Sequence, residues 1–218
     1  MRLLLMDTCG SEGSVALADT EASGVIASRL LPGRGASERL LPEVRELMNA
    51  AGWRLRELDA IAVVHGPGSF TGVRVGLSAA KGLSEAGGVG LIAISRLAVL
   101  AGLAGGGSVA AALDAGRGEF YLGIYEDDRY VREALVNGEE IAGELAGAKL
   151  VVCEAKVAEA LRAFEPVEVN EPVAADVLRI AVMRAEAKEF DDAALIDANY
   201  LRRIDLEISA KQAAVAAK

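Results

Sequence analysis

A single histidine, His65, and two cysteines, Cys9 and Cys153, among 218 residues leave little from which to build a metal or redox site. A zinc centre needs three or four His, Cys or carboxylate ligands, and the chain has no H-E-x-x-H or C-x-x-C pair. A Ser-His-Asp triad would have to use His65 as its base. That residue abuts a turn at the end of an apolar run, so a strand-end role is the plainer reading. Two cysteines cannot form a disulfide framework, which makes a reducing cytoplasm the expected location. No apolar run is long enough for a transmembrane helix, and Leu3 to Met6 is too short for a signal peptide's hydrophobic region. Basic residues are also scarce. Lys and Arg number 23 against 32 Asp and Glu, a net charge of −9. They form no cluster, which argues against this chain alone gripping nucleic acid.

What is present is aliphatic. The chain is 52% hydrophobic but only 4% aromatic, so its core is built from Ala, Val, Leu and Ile. Its length suits one large or two small domains. Three short runs open it, Leu3–Met6, Ser14–Ala18 and Val25–Leu31, with turn residues between them, and they read as an antiparallel meander. Ser37 can cap a helix reaching about Ala51, with Leu40, Leu41, Val44, Leu47 and Met48 on its apolar face. Val89–Ile94 is a further strand, and Ser95 opens a helix to about Ala104.

The organising stretch is Ala60 to Leu83. A β-branched apolar run, Ala60–Val64, ends at Gly66-Pro67-Gly68, and Ser69 or Thr71 can cap the helix that follows. Gly72, Gly76 and Ala80 recur at a spacing of four and share one helical face. Each helical glycine costs roughly 1 kcal/mol against alanine, so that face implies the close approach of another backbone. The approach is either packing within the chain's own core or contact with another molecule. The turn fits neither a P-loop nor a G-x-G-x-x-G fingerprint. What remains is a helix start where an anion could sit.

Gly105-Gly106-Gly107 marks the clearest boundary, predicting lobes at 1–104 and 105–218. After it the opening pattern restarts: an apolar run Val109–Leu113, then Asp114, a small turn, and a strand from Phe120. Asp7 and Asp114 thus hold equivalent strand-end places, where a carboxylate beside a turn can handle a phosphate and Mg²⁺ or simply cap its own turn. The second half reads as shorter and more helical, with helices near Ile141–Leu145, from Glu154 to about Phe164, and after Pro172. The alanine-rich tail from Ser209 either frays or adds a helical turn.

The segment HGPGSFTGVRVGLSAAKGL resembles the hallmark of the bacterial TsaB family, also called YeaZ. LLLMDTCGSEGSVAL, RLLPEVRELMNAAGWRLRELDAIAV, ALDAGRGEFYLGIY and NYLRR at Asn199–Arg203 extend the likeness over nearly the whole chain. The resemblance implies an α/β, two-lobed actin-like ATPase (ribonuclease H-like) fold, with mixed sheets, helices and a reduced second lobe. It implies a non-catalytic partner of the transferase TsaD, in the complex that adds threonylcarbamoyl to the tRNA adenosine next to the anticodon. TsaE would join an ATP-dependent cycle, with ATP used by the assembled complex and no cofactor held by this chain. The protein would pair with a second copy when TsaD is absent, and touch tRNA only indirectly. TsaD holds a metal with an H-x-x-x-H helix, and here Arg96 and Leu100 stand at those places, so neither a metal site nor metalloprotease activity is expected. The family's interface implies partner contacts at Gly72, Val73, Gly76, Leu77 and Ala80, with Leu40, Leu41, Val44 and Leu47 nearby. Asp7, Thr8, Gly66, Gly68, Ser69 and Asp114 would line a degenerate nucleotide cleft. Many relatives carry a histidine in the loop before the first helix, where this chain reads GRGASERLLP. The alternative function is a small ATPase or phosphotransferase using Asp7 and Asp114. Such an enzyme would need an adenosine-binding glycine loop in its second lobe, and no glycine follows Gly147.

Overall fold

Parallel pairing of two distant strands sets the geometry of the first half. In a computed structural model describing residues 1–22, 24–32, 35–127 and 129–201, strand β1 (Arg2–Asp7) lies between β2 (Gly13–Asp19) and β4 (Ala60–Val64). It pairs antiparallel with β2, which pairs antiparallel with β3 (Gly24–Leu31). On its other side β1 runs parallel to β4, and β4 runs parallel to β5 (Gly90–Ile94). The order is therefore β3-β2-β1-β4-β5. The parallel pairs are bridged by helices, as such crossovers require. Helix α1 (Ala36–Ala51) precedes β4, and α2 (Phe70–Gly87) connects β4 to β5.

The central strands are apolar on both faces and buried on both, hence their near-continuous hydrophobic runs. Leu4, Met6, Ile61 and Val63 face α1 and α2 in a cluster with Leu40, Val44, Leu47, Leu77 and Ala80. Leu3, Leu5, Ala62 and Val64 face the other way and meet Ala174, Val177, Ala181 and Ala185. These last residues come from far along the chain, from a 3₁₀ turn at Ala174–Val177 and a later helix at Leu178–Glu186. The contacts accordingly divide the described residues into two units. One comprises Met1–Val99 and Pro172–Asn199, and the other Leu100–Glu171 with Tyr200 and Leu201. The lobe boundary expected at the triple glycine would assign Pro172–Asn199 to the second unit. The chain instead returns, because the sheet's second apolar face needs a cover.

After β5, helix α3 (Arg96–Leu103) carries the chain to the second unit's sheet. It contains β6 (Ser108–Gly116), β7 (Glu119–Glu126), β8 (Arg129–Asn137), β9 (Lys149–Val152) and β10 (Val167–Glu168), in the order β10-β9-β6-β7-β8. Strands β6–β7 and β7–β8 are antiparallel, and β6–β9 and β9–β10 are parallel. Read from β8, this repeats the first sheet strand for strand, which is the duplicated ribonuclease H-like sheet of the actin-like ATPase fold. The reduction of the second half lies in its helices rather than its strands. Helices α4 (Ile141–Leu145) and α5 (Ala155–Ala160) are 5 and 6 residues long, against 16 and 18 for α1 and α2. The expectation of a more helical second half is corrected on that point. Helix α6 (Leu178–Glu186) belongs to the first unit. Arg202, Arg203 and the alanine-rich tail lie outside the described residues, as do Gly33 and Arg34 of the loop before α1.

Candidate functional site

Because β1 and β4 run parallel, both end at the same edge of the sheet. The turn after β1 therefore meets the start of the helix after β4. Ser69 caps that helix, its hydroxyl accepting the Gly72 N–H at 3.3 Å. The Ser69 N–H donates to the Cys9 carbonyl at 2.9 Å. The Thr8 hydroxyl donates to the Gly72 carbonyl at 2.6 Å. Two amides that could have gripped an anion are thus engaged by the chain itself. A helix start needs such acceptors, and here the β1–β2 turn supplies one of them.

This contact explains the glycines. A Cβ on Gly72 would sit under 3.0 Å from the Thr8 carbonyl oxygen, one on Gly76 equally close to the Thr8 hydroxyl, and one on Gly68 against the Cys9 carbonyl. The close backbone partner is the protein's own β1–β2 turn. In the free chain the nine residues that the family likeness offers as partner contacts are placed as follows. Val73, Gly76, Leu77 and Ala80 are buried within the first unit, Gly72 is half-buried, and Leu40, Val44 and Leu47 lie beneath α1. Of the nine residues only Leu41 is exposed, at 50%.

What α2 does offer outward lies about 120° further round, from 3.6 residues per turn. Ser78, Gly82 and Ala86 repeat the spacing of four and are exposed, and a Cβ added to Gly82 would meet nothing within 4 Å. Near the helix start Phe70 is 60% exposed, with the Arg74 guanidinium carbon 3.7 Å from its ring centroid. The outward stripe carries the same spacing signal as the buried one and could have been read from it.

Of the residues expected to line a degenerate cleft, Asp7, Thr8, Gly66, Gly68 and Ser69 belong to the first unit and Asp114 to the second. Asp7 is buried, and its Oδ1 accepts the Cys9 N–H at 2.8 Å, so it caps its own turn. Burial first, and the Asp7 charge second, push the Cys9 thiol well above its usual range. The Cys9 thiol donates to the Val64 carbonyl at 3.2 Å and stays protonated, which removes it as a nucleophile. His65 Nδ1 lies 3.1 Å from the Asp197 carbonyl, and Asn199 N–H donates to the His65 carbonyl at 2.8 Å. These contacts tie the returning segment to the end of β4.

In the second unit the Lys156 ammonium lies 2.6 Å from Asp114 Oδ2, and the Asp114 N–H donates to Glu154 Oε2. The Lys156 hydrogen bond holds the Asp114 carboxyl below its ordinary value and raises the Lys156 ammonium in turn. A cation supplied by the chain thus sits where a divalent ion would approach this carboxylate. Its contribution is present above the unfolded carboxyl's ordinary range and is lost as pH falls through the depressed value. Lys156→Ala is expected to move the Asp114 titration upward, measured by carboxyl-carbon NMR. An unchanged titration would mean that the contact is not held in solution. Among the described residues no three His, Cys, Asp or Glu side chains cluster to hold a metal ion.

Comparison with known proteins follows the same lines. Residues 30–216 match the family model described as TsaD, tRNA N6-adenosine threonylcarbamoyltransferase. The chain is similar to the tRNA threonylcarbamoyladenosine biosynthesis protein TsaB of Escherichia coli K12, 36% identical over 145 residues, covering 64% of this chain and 60% of that protein. The protein of the same description from Haemophilus influenzae is 38% identical over 126 residues, covering 56% and 52%. The matches thus span between half and three-fifths of these curated relatives' length. A solved structure, YeaZ from Pseudomonas aeruginosa, superposes with a TM-score of 0.76 at 32% identity, covering 92% of this chain and 99% of that one.

Proposed function

Given that the chain belongs to the TsaB (YeaZ) family, we propose that it is a non-catalytic partner of a TsaD-family transferase, in the complex that adds threonylcarbamoyl to the tRNA adenosine next to the anticodon. One observation carries the reading. The places where a nucleotide enzyme of this fold would work are occupied by the chain's own groups, while two long helices keep apolar and small residues facing outward. Thr8, Cys9 and Ser69 fill the start of α2, and Lys156 takes the Asp114 carboxylate. Leu41 on α1, and Ser78, Gly82 and Ala86 on α2, remain exposed.

A helix bearing small outward residues lets a second helix lie close to it, so the partner contact is a helix-to-helix one. In this role the chain holds TsaD in a competent state, and TsaE with ATP acts on the assembly. The net charge of −9 suits a subunit that leaves tRNA contact to others. Without TsaD, the same surface pairs with a second copy of this chain. No helix among the described residues is long and apolar enough to cross a membrane.

Mixing the chain with the TsaD-family protein of its own organism, and measuring mass by light scattering, tests this. The proposal expects a species with the summed mass of both chains. Persistence of the separate components at micromolar concentration would overturn it.

A further inference from the structure

Strand β3 is the outermost strand on one side of the first sheet, and among the described residues no strand pairs with its outer edge. The opposite edge of that sheet is treated differently. There Asp191 bridges Leu91, and its carboxylate accepts the Ala93 N–H at 2.7 Å, so β5 is covered. An open edge is a template for a further strand, and proteins block it. The two faces of β3 differ in character. Leu30, paired with Ser14, and Ser28, paired with Ala16, lie on the face that Ala174 and α6 cover further in. Leu30 is nonetheless 58% exposed. Arg29, paired with Val15, lies on the α1 face, its Nε 4.0 Å from Glu43, which also pairs with Arg39. Two guanidiniums thus share that one carboxylate.

The chain's own sequence supplies a matching strand. Beyond the described residues, Ile204-Asp205-Leu206-Glu207-Ile208 alternates apolar and acidic side chains, the period of a strand with one apolar and one charged face. We infer that this segment adds to the free edge of β3, antiparallel, with Leu206 opposite Leu30, Glu207 opposite Arg29 and Ile208 opposite Ser28. Strand β3 runs in the same direction as β1 and β4, so all three end at the same edge of the sheet. Asn199, whose N–H donates to the His65 carbonyl, lies at that edge and sets the direction of approach. A strand beside β3 lies four spacings from β4, about 19 Å. The segment from Asn199 to Leu206 can span roughly 23 Å. Charge favours the contact too. Residues 202–218 hold four basic and two acidic side chains, opposite in sign to the net −9 of the whole chain. The irregularity of β3 lies opposite Leu17 and Ala18, outside this register. The outer strand of the second sheet matches less well. Arg132 of β8 already meets Glu144, and its register shifts beside the exposed Tyr130.

The pairing closes the edge with main-chain hydrogen bonds, and tethering makes it independent of protein concentration. It does not depend on the proposed partnership with a TsaD-family protein. Hydrogen exchange of the β3 amides in the full chain tests it. Leu206→Asp with Ile208→Asp is expected to speed exchange of the β3 amides by about 10-fold and to leave those of β1 and β4 unchanged. Arg29→Glu is expected to speed it by about 3-fold, and Arg29→Glu with Glu207→Arg to restore the wild-type rate. A role of Arg29 through Glu43 alone would give no such rescue. The melting temperature, read alongside, reports that the first unit stays folded in each variant.

Unchanged β3 exchange in the double aspartate variant would overturn the inference, as would failure of the charge swap to rescue. Protection of β3 that rises with protein concentration would also overturn it, assigning the edge to a second copy. Protection gained only on adding the TsaD-family protein would overturn it in favour of that partner and leave the proposed partnership standing.

Discussion

Gly72→Ala is expected to destabilise the first unit by about 3 kcal/mol or more, the upper range for forcing an atom into a filled site. The added methyl would lie under 3.0 Å from the Thr8 carbonyl oxygen. Backbone cannot rotate aside as a side chain can. Either the β1–β2 turn withdraws, or α2 shifts. Withdrawal of the turn breaks the Thr8 bond to the Gly72 carbonyl and the Ser69 bond to the Cys9 carbonyl. Gly82→Ala in the same helix has the opposite sign. It meets nothing within 4 Å, so the gain of about 0.5–1 kcal/mol from replacing a helical glycine is expected in full. Urea unfolding followed by circular dichroism reads both. A Gly72→Ala chain as stable as the wild type would mean that Thr8 does not rest against α2.

Gly82→Leu is expected to leave stability near that of the wild type and to weaken binding of the TsaD-family partner by about 30-fold or more. Its side chain enters open solvent in the free protein. In a complex where a second helix lies against Ser78, Gly82 and Ala86, the same side chain holds the two backbones apart. The close-range contacts along that line are then lost together. The contrast with Gly76 separates the two faces of one helix. A side chain at Gly76 strikes the Thr8 hydroxyl, so loss of binding in a Gly76→Leu variant would report a disturbed fold rather than a lost interface.

Much of this architecture was legible in the residues. The β-branched run at Ala60–Val64 and the Gly-Pro-Gly turn lie where the pattern places them, and of the two caps it offers, Ser69 and Thr71, the structure uses Ser69. The restart at Val109, with Asp114 echoing Asp7, announces the second sheet. Two features were not legible, for one reason. The two stripes on α2 share a spacing of four, and spacing cannot say which of them meets the protein's own turn. That depends on β1 pairing parallel with β4 across more than fifty residues. The return of α6 to the first sheet is likewise a long-range event, since Ala181 and Ala185 could cover any apolar face. Leu41 adjoins the apolar stripe of α1 and belongs to it by pattern, but it falls one position too far round and is left outside.

The most direct test of a helix clamped on one side and open on the other is calorimetric titration of the Gly82→Leu variant into the TsaD-family protein, with the unaltered chain alongside. The account predicts binding by the unaltered chain and, at an equal melting temperature, an affinity at least about 30-fold lower for the variant. Equal affinities would contradict it, because the outward stripe of α2 would then lie outside the contact.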